Sequence, residues 1–284
     1  MRLTNVALYS DSAFGIGVDV LNFSLEHTHR DNKYAVRAIT GLDAEEIIPK
    51  FYGFSTVSKQ RYYNMGLKSR EIVMRVVLNP DFENNESYSD IRDELYRAIS
   101  ATRTGIIMLH FMSGPNVVAR IPGFITKLEV GYFNQLPEVQ VTVRCDDPLF
   151  RSLTPTVFEP TDLSTGTEVQ IGDNMSTAPH GFSFEATFTT DTTNFVVQDK
   201  ATSPEWQFNI VYSFLAGDQL FFSSELSDKY LYIMRSGSPI YLMDKVQPLS
   251  IWPVIFPGFN NFYFTNAATF AFDKVEYYPA YWGI

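Results

Sequence analysis

The sequence predicts a mainly β chain of two modules with one α-helix, and three observations predict it. At 284 residues the chain exceeds the usual single-domain size, so two modules are expected. Charged residues make up only 19% of it, below the roughly 25% usual for soluble domains. Aromatics reach 15%, with 24 Phe and 16 Tyr. Those residue types suit pleated, half-buried surfaces and recur at protein interfaces. Large aromatic cores account for the composition equally well.

In the first half, Leu21, Phe23 and Leu25 alternate with Asn22, Ser24 and Glu26, a period of two that marks a half-buried strand. The β-branched run Glu71 to Leu78 forms the next clear strand and stops at the turn pair Asn79-Pro80. Tyr88 to Thr102 is the one helix. Ser87 fits the N-cap and Asp90 its capping-box partner. Tyr88, Ile91, Leu95, Ala98 and Ile99 make a narrow apolar stripe that should lie on a sheet face. Asp90, Asp93 and Glu94 sit towards the positive end of the helix dipole and Arg97 and Arg103 towards the other, while Asp93 and Arg97 are spaced to pair. Gly105 suits the left-handed residue just past the helix end. Ile106 to Met112, Val117 to Ile121, Gly123 to Phe133 and Glu138 to Arg144 then follow as a meander, with Val139, Val141 and Val143 on one face.

From Asp147-Pro148 to Asn174 the chain is rich in Pro, Thr, Ser, Asp and Gly and reads as a linker with the start of new strands. The module boundary falls there, at 1–150 and 151–284, with a return of the last strand to the first module left open. Beyond it no helical period occurs. Phe182, Phe184, Ala186 and Phe188 alternate with polar residues. Further strands are expected at Phe195 to Val197, Trp206 to Phe214, Gln219 to Phe222, Lys229 to Met234, Asn261 to Thr265 and Thr269 to Tyr277. Turns at Ala216-Gly217-Asp218, at residues 236–239 and at Pro257-Gly258 separate them, a spacing that indicates a β-sandwich.

The formal net charge is −10, and the basic residues are scattered. Neutralising phosphates needs clustered Lys and Arg, so nucleic-acid binding is not expected as the main activity. Cys145 is the single cysteine, which excludes an internal disulfide and points to an intracellular folding compartment. Met1 to Phe14 lacks a secretory apolar core, and no apolar run approaches the roughly 20 residues a spanning helix needs. No membrane partner is expected.

The search for chemistry assigns no catalytic, cofactor-binding or metal-ligating residue. His27 and His29 share a strand face and could begin a metal site, but no third ligand lies nearby in sequence. His110 and His180 are the other two histidines. Gly15-Ile16-Gly17 lacks the third glycine and following helix of a dinucleotide loop. Neither a P-loop lysine nor a Gly-x-Ser-x-Gly elbow occurs. Asp146 and Asp147 beside Cys145 disfavour its thiolate. Paired carboxylates for glycoside hydrolysis come from distant positions, and no motif identifies such a pair.

Two constellations are structural. Cys145-Asp-Asp-Pro-Leu-Phe150 closes a strand, with Asp146 or Asp147 placed to cap the turn. Trp252 to Asn260 carries Pro257-Gly258, where glycine is free to take positive φ before the strand from Asn261. Together with Ile39-Thr-Gly-Leu42, Arg70-Glu-Ile-Val-Met74, the single helix, Ala216-Gly-Asp218 and the terminal Tyr277-Tyr-Pro-Ala-Tyr-Trp282, these pieces resemble, in order and over nearly the whole chain, the distal tail protein family of long-tailed, non-contractile phages.

The resemblance implies an N-terminal split-barrel or belt domain with one helix, which closes into a homohexameric ring, followed by a galectin-like β-sandwich. It implies a structural, non-enzymatic virion protein at the tail tip, assembled in the bacterial host cytoplasm. Its partners would be other copies of itself, the tail tube protein and the tail hub, with tape measure protein and tail fibres beyond them. DNA would pass only in transit, through a channel that acidic residues keep from sticking. The alternative is a carbohydrate-binding host-recognition module, with Trp206 and Trp252 as its aromatic candidates, although their neighbours lack the polar grouping of galectin sites. Phe51-Tyr52, Tyr62-Tyr63 and Tyr277 to Trp282 are the candidate interface aromatics.

Overall fold

The computed structural model describes residues 2–10, 19–25, 32–44, 47–53, 60–102, 105–130, 137–158, 168–173, 175–199, 206–225, 228–265 and 269–284. His27, His29, Gly15 to Gly17, Arg103 and Phe133 lie outside them. Two compact units emerge, one of Met1–Leu153 with Trp282–Ile284 and one of Thr154–Tyr281.

The first unit contains β1 (Asn5–Ser10), β2 (Asp19–Ser24), β3 (Tyr34–Thr40), β4 (Ile47–Gly53), β5 (Gln60–Leu67) and β6 (Arg70–Leu78). Helix α1 (Tyr88–Thr102) precedes β7 (Ile107–Ser113), β8 (Asn116–Val130), β9 (Glu138–Cys145) and β10 (Phe150–Arg151). The pairing runs β8-β7-β1-β2-β3-β6-β9 and returns from β9 to β8, which closes a seven-stranded barrel. All its seams are antiparallel except β2–β3, which is parallel and joined by one residue pair, Ser24 with Ala35. Strands β4 and β5 form a separate two-stranded ribbon.

Alternation fills the barrel. Ile72, Met74 and Val76 on β6, Ile107, Leu109 and Phe111 on β7, and Val139, Val141 and Val143 on β9 are all fully buried. The expected meander is corrected at residues 117–130, where the two strands read from the sequence are one strand, β8. It pairs with β7 up to Gly123 and with β9 from Phe124. Pro122, which has no N–H to give, sits where the strand changes partner. Gly123 follows because the seam is tight: an added Cβ would lie 2.7 Å from Val143 Cγ1 and 2.9 Å from the Arg144 carbonyl oxygen.

Helix α1 packs against β2 and β6 through Ile91, Leu95 and Ile99, all buried. The capping box forms as the sequence predicts: the Ser87 amide donates to Asp90 Oδ2 at 3.0 Å and the Asp90 amide to Ser87 Oγ at 3.3 Å. Three expectations fail, the first being Gly105, which does not take the left-handed conformation. Tyr88 leaves the stripe, lies exposed and packs edge-on against Phe82. Asp93 pairs with Arg92, while Arg97 Nε reaches the Asp93 backbone carbonyl instead of its carboxylate.

The second unit is two antiparallel sheets. One contains β11 (Thr156–Phe158), β13 (Ser183–Phe188), β16 (Gln219–Ser223), β17 (Tyr230–Arg235), β18 (Ser238–Tyr241) and β20 (Phe270–Tyr277); the other contains β12 (Glu168–Asp173), β14 (Thr192–Asp199), β15 (Trp206–Phe214) and β19 (Gly258–Thr265). Their orders are β11-β20-β13-β16-β17-β18 and β12-β19-β14-β15. The core between them is built largely of phenylalanine, with Phe184, Phe222 and Phe272 from the first sheet against Phe195, Phe208 and Phe264 from the second. Ring contacts such as Phe184–Phe264, edge-on at 6.0 Å, cross the interior. The stretch read as a linker supplies an edge strand to each sheet, β11 and β12.

Candidate functional site

The most heavily bonded buried charge is Arg70, the first residue of β6. Its side chain is fully buried and is held by backbone carbonyls. Nε donates to Pro148 O at 2.8 Å, Nη1 to Gly41 O and Asp43 O at 2.6 Å each, and Nη2 to Trp282 O at 2.6 Å. The guanidinium also lies over the Phe150 ring, 4.5 Å from its centroid. A buried cation is costly unless its donors are satisfied, and here the planar fork spreads over carbonyls from three separate segments. Gly41 is fixed by this arrangement, with φ of +86° and space for a Cβ only 2.1 Å from the Glu71 carbonyl oxygen. Four sequence motifs therefore meet at one side chain: 39–42, 70–74, 145–150 and the terminal Trp282.

Within the 145–150 motif, Asp147 is the capping acid. Its Oδ1 accepts from the Leu149 amide at 3.2 Å, and its Oδ2 pairs with the buried Arg151 at 3.0 Å. Asp146 turns outward to Arg144. Cys145 is fully buried, and burial, reinforced by these two acids and opposed by Arg70, pushes its thiol up to about 12. Desolvation is thus a larger cause of the raised thiol than the neighbouring acids that the sequence points to.

The second unit contains a constellation the sequence did not reveal. His180 Nε2 lies 2.9 Å from Asp173 Oδ2 and 3.1 Å from Ser176 Oγ, all three side chains being buried. Ser, His and Asp together invite a nucleophilic reading, but the geometry opposes it. In a working relay the carboxylate and the hydroxyl face opposite ring nitrogens. Here they share Nε2, and Nδ1 faces the Gly181 carbonyl at 2.8 Å. Ser176 Oγ is occupied in accepting from the Ala280 amide at 3.0 Å, and Tyr277 stacks on the imidazole and reaches Asp173 Oδ1 at 3.4 Å. Burial alone would raise the Asp173 carboxyl. Hydrogen bonds from Ser176, His180 and the Met175 amide outweigh that and hold it below the usual carboxylate range. The cluster is a clasp on the chain end of the unit.

Two turn motifs are held in the same way. Asp218 accepts from the Leu215 amide at 2.9 Å and from Arg235 Nε at 2.8 Å, while Arg235 Nη2 also reaches Ser213 O at 2.8 Å. Asn260 grips its own turn, accepting from the Phe256 amide and donating to the Phe256 carbonyl, both at 2.7 Å. Gly258 within it takes φ of +102°, as the sequence predicts.

The remaining expected residues are placed as follows. His110 packs against Tyr9, with ring centroids 4.3 Å apart. Among the described residues no group of three His, Cys, Asp or Glu is placed to hold a metal, and no helix is long and apolar enough to cross a membrane. Trp252 is half-buried, packing against Phe208 and stacking on Phe222, with Lys229 Nζ 5.3 Å from its ring centroid. Trp206 opens β15, but its side chain lies outside the described residues, as do those of Phe51, Tyr52, Tyr62 and Tyr63. Tyr277 is corrected as an interface aromatic, since it is buried in the core.

No protein-family model matches the chain, and no curated protein does. Solved structures do. The crystal structure of the SPP1 Dit (gp 19.1) protein, described as a paradigm of the hub adsorption apparatus in phages infecting Gram-positive bacteria, is similar at 15% identity and a TM-score of 0.60, over 97% of this chain and 98% of that one. Two structures of the phage p2 baseplate in its activated conformation match over the same shares at 8% and 7% identity, with TM-scores of 0.46 and 0.45. Over nearly the whole of both chains, the fold built here from barrel, helix and paired sheets is similar to that of SPP1 Dit, a phage distal tail protein, as the ordered motifs predicted.

Proposed function

We propose that this chain is a structural subunit of a phage tail tip, closing into a hexameric ring that joins the tail tube to the tail hub and leaves a channel for DNA. The observation that carries the proposal is the end-to-end likeness to SPP1 Dit, which takes in both units rather than one shared module. The site geometry supports a non-enzymatic reading. The polar constellations of both units are buried and satisfied by backbone groups, so they hold segments in place and present nothing to a substrate. Residues 1–150 would form the ring and 151–284 would project from it. Other copies of the chain, the tail tube protein and the hub are the partners, with tape measure protein and fibres beyond them. Assembly would occur in the host cytoplasm.

Negative-stain imaging of the purified chain, alone and mixed with tail tube protein, tests this reading. Closed six-fold rings are the expected result. A strictly monomeric species under every condition would overturn it.

A further inference from the structure

The six-stranded sheet of the second unit buries one face in the phenylalanine core and turns the other outward. On that outer face the strand register sets large side chains in one row across five adjacent strands. Lys274 on β20 lies opposite Glu185 on β13, and Glu185 opposite Phe221 on β16. Phe221 in turn faces Tyr232 on β17, which faces Tyr241 on β18. Neighbouring strands lie about 4.8 Å apart, so the row runs about 19 Å. Phe221 and Tyr232 stack at 4.9 Å with their planes 7° apart, and Tyr241 inclines to Tyr232 at 5.9 Å. Tyr241 ends the row 71% exposed.

The row is too narrow for a dry protein interface and too acidic for a polyanion. Along β13 and β16 it is bordered by Ser183 and Ser223 on one side and by Thr187 and Gln219 on the other. A protein interface is built around a broader apolar core. Glu185 is half-buried and makes no hydrogen bond or ion pair among the described residues. Burial first, and then the charges of Asp228, Tyr232, Glu185 and Glu276, raise the Tyr230 phenol beside the row. The cations nearby are engaged: Lys274 pairs with Glu276 at 2.6 Å, Arg235 pairs with Asp218, and Lys229 lies over the Trp252 ring. A nucleic acid, an anionic lipid or a phosphorylated glycan would meet carboxylates where it needs basic residues. A neutral sugar matches both halves of the row. Its C–H face is slightly positive and suits the negative face of an aromatic ring, and its hydroxyls can donate to a carboxylate.

We propose that this outer face binds a neutral oligosaccharide chain, laid across the strands with sugar rings on Tyr241 and Tyr232 and hydroxyls donating to Glu185. The inference goes beyond the ring role and does not rest on it. The full chain is applied to immobilised hexasaccharides of glucose, N-acetylglucosamine, galactose and rhamnose, with hyaluronan and heparin fragments as acidic comparators. Retention of at least one neutral series, and of neither acidic one, is expected. Calorimetry on the retained compound should then show Tyr241→Ala and Glu185→Gln each weakening binding by about tenfold or more. Tyr241→Trp, which keeps a ring face, should retain binding. Failure to retain any neutral hexasaccharide, preference for an acidic fragment, or parental affinity in both Tyr241→Ala and Glu185→Gln overturns the proposal. Rings that form without sugar binding overturn this inference alone. Sugar binding by a chain that never forms rings overturns the ring reading alone.

Discussion

Arg70 Nη2 and the backbone carbonyl of Trp282 are joined by a 2.6 Å hydrogen bond across 212 positions of sequence. The same guanidinium reaches Gly41, Asp43 and Pro148, so one side chain sets the positions of three backbone segments. Arg70→Met is expected to destabilise the chain by about 3–5 kcal/mol, because several buried carbonyls lose their donor together. Arg70→Lys should fall between the two, since an ammonium cannot reproduce the planar fork. Urea denaturation followed by tryptophan fluorescence measures both. A methionine variant as stable as the parent would show that the carbonyls find other donors.

The β8–β9 seam makes a separate prediction. An added Cβ at Gly123 would also lie 3.0 Å from Cys145 Sγ, so Gly123→Val should cost about 1–3 kcal/mol through overpacking. Gly123→Ala should cost less. Thermal melts of the two variants give the order, and equal Tm values for alanine, valine and parent would contradict the tight seam.

The Asp173 clasp should make stability fall in acid. Its folded-state pKa is depressed, so the unfolded chain binds more protons in the interval between the two values. The stability it contributes is complete above the unfolded aspartate value of about 3.9 and is lost as pH falls through the folded value. Asp173→Asn should lower the Tm at neutral pH and flatten its decline below about pH 4. An unchanged acid slope in that variant would assign the decline to other carboxylates.

Burial at Cys145 predicts chemical silence. With the thiol pushed up to about 12, thiolate is scarce at pH 8 and the sulfur is enclosed. Ellman's reagent should not react with the native chain and should react with one thiol per chain in denaturant. Prompt native labelling would mean that the barrel opens readily near β9.

What was legible in the sequence was local. The Ser87–Asp90 capping box and the Val139, Val141, Val143 alternation depend on neighbours a few positions away, and both appear as read. Gly258 took the backbone conformation its turn demanded. Where a side chain chose between close partners, spacing misled: Asp93 has Arg92 within reach as well as Arg97, and the adjacent residue won. Pro122-Gly123 reads as a break between two strands, whereas in one strand that changes partner it is tolerated.

The buried polar groups were invisible for a different reason. Asp173, Ser176 and His180 are close in sequence, but their arrangement depends on Tyr277 and Ala280, about a hundred positions later. Arg70 reads as an ordinary strand residue until its carbonyl partners are brought to it. The resemblance did list those partner motifs in order, without any physical reason for their occurring together; the guanidinium supplies one.

The barrel's seams are unequal, and this gives helix α1 a mechanical role. A cylinder of strands yields at its weakest junction, and β2–β3 is held by a single described pair. Helix α1 touches β2 and β6, the strands on either side of β3, and the Tyr34 hydroxyl on β3 donates to the Ile91 carbonyl at 3.4 Å. Phe23 and Tyr34 face each other across the gap, their ring centroids 6.0 Å apart. The one α-helix among the described residues thus works as a splint, laid over the joint where the cylinder would otherwise spring open into a flat sheet.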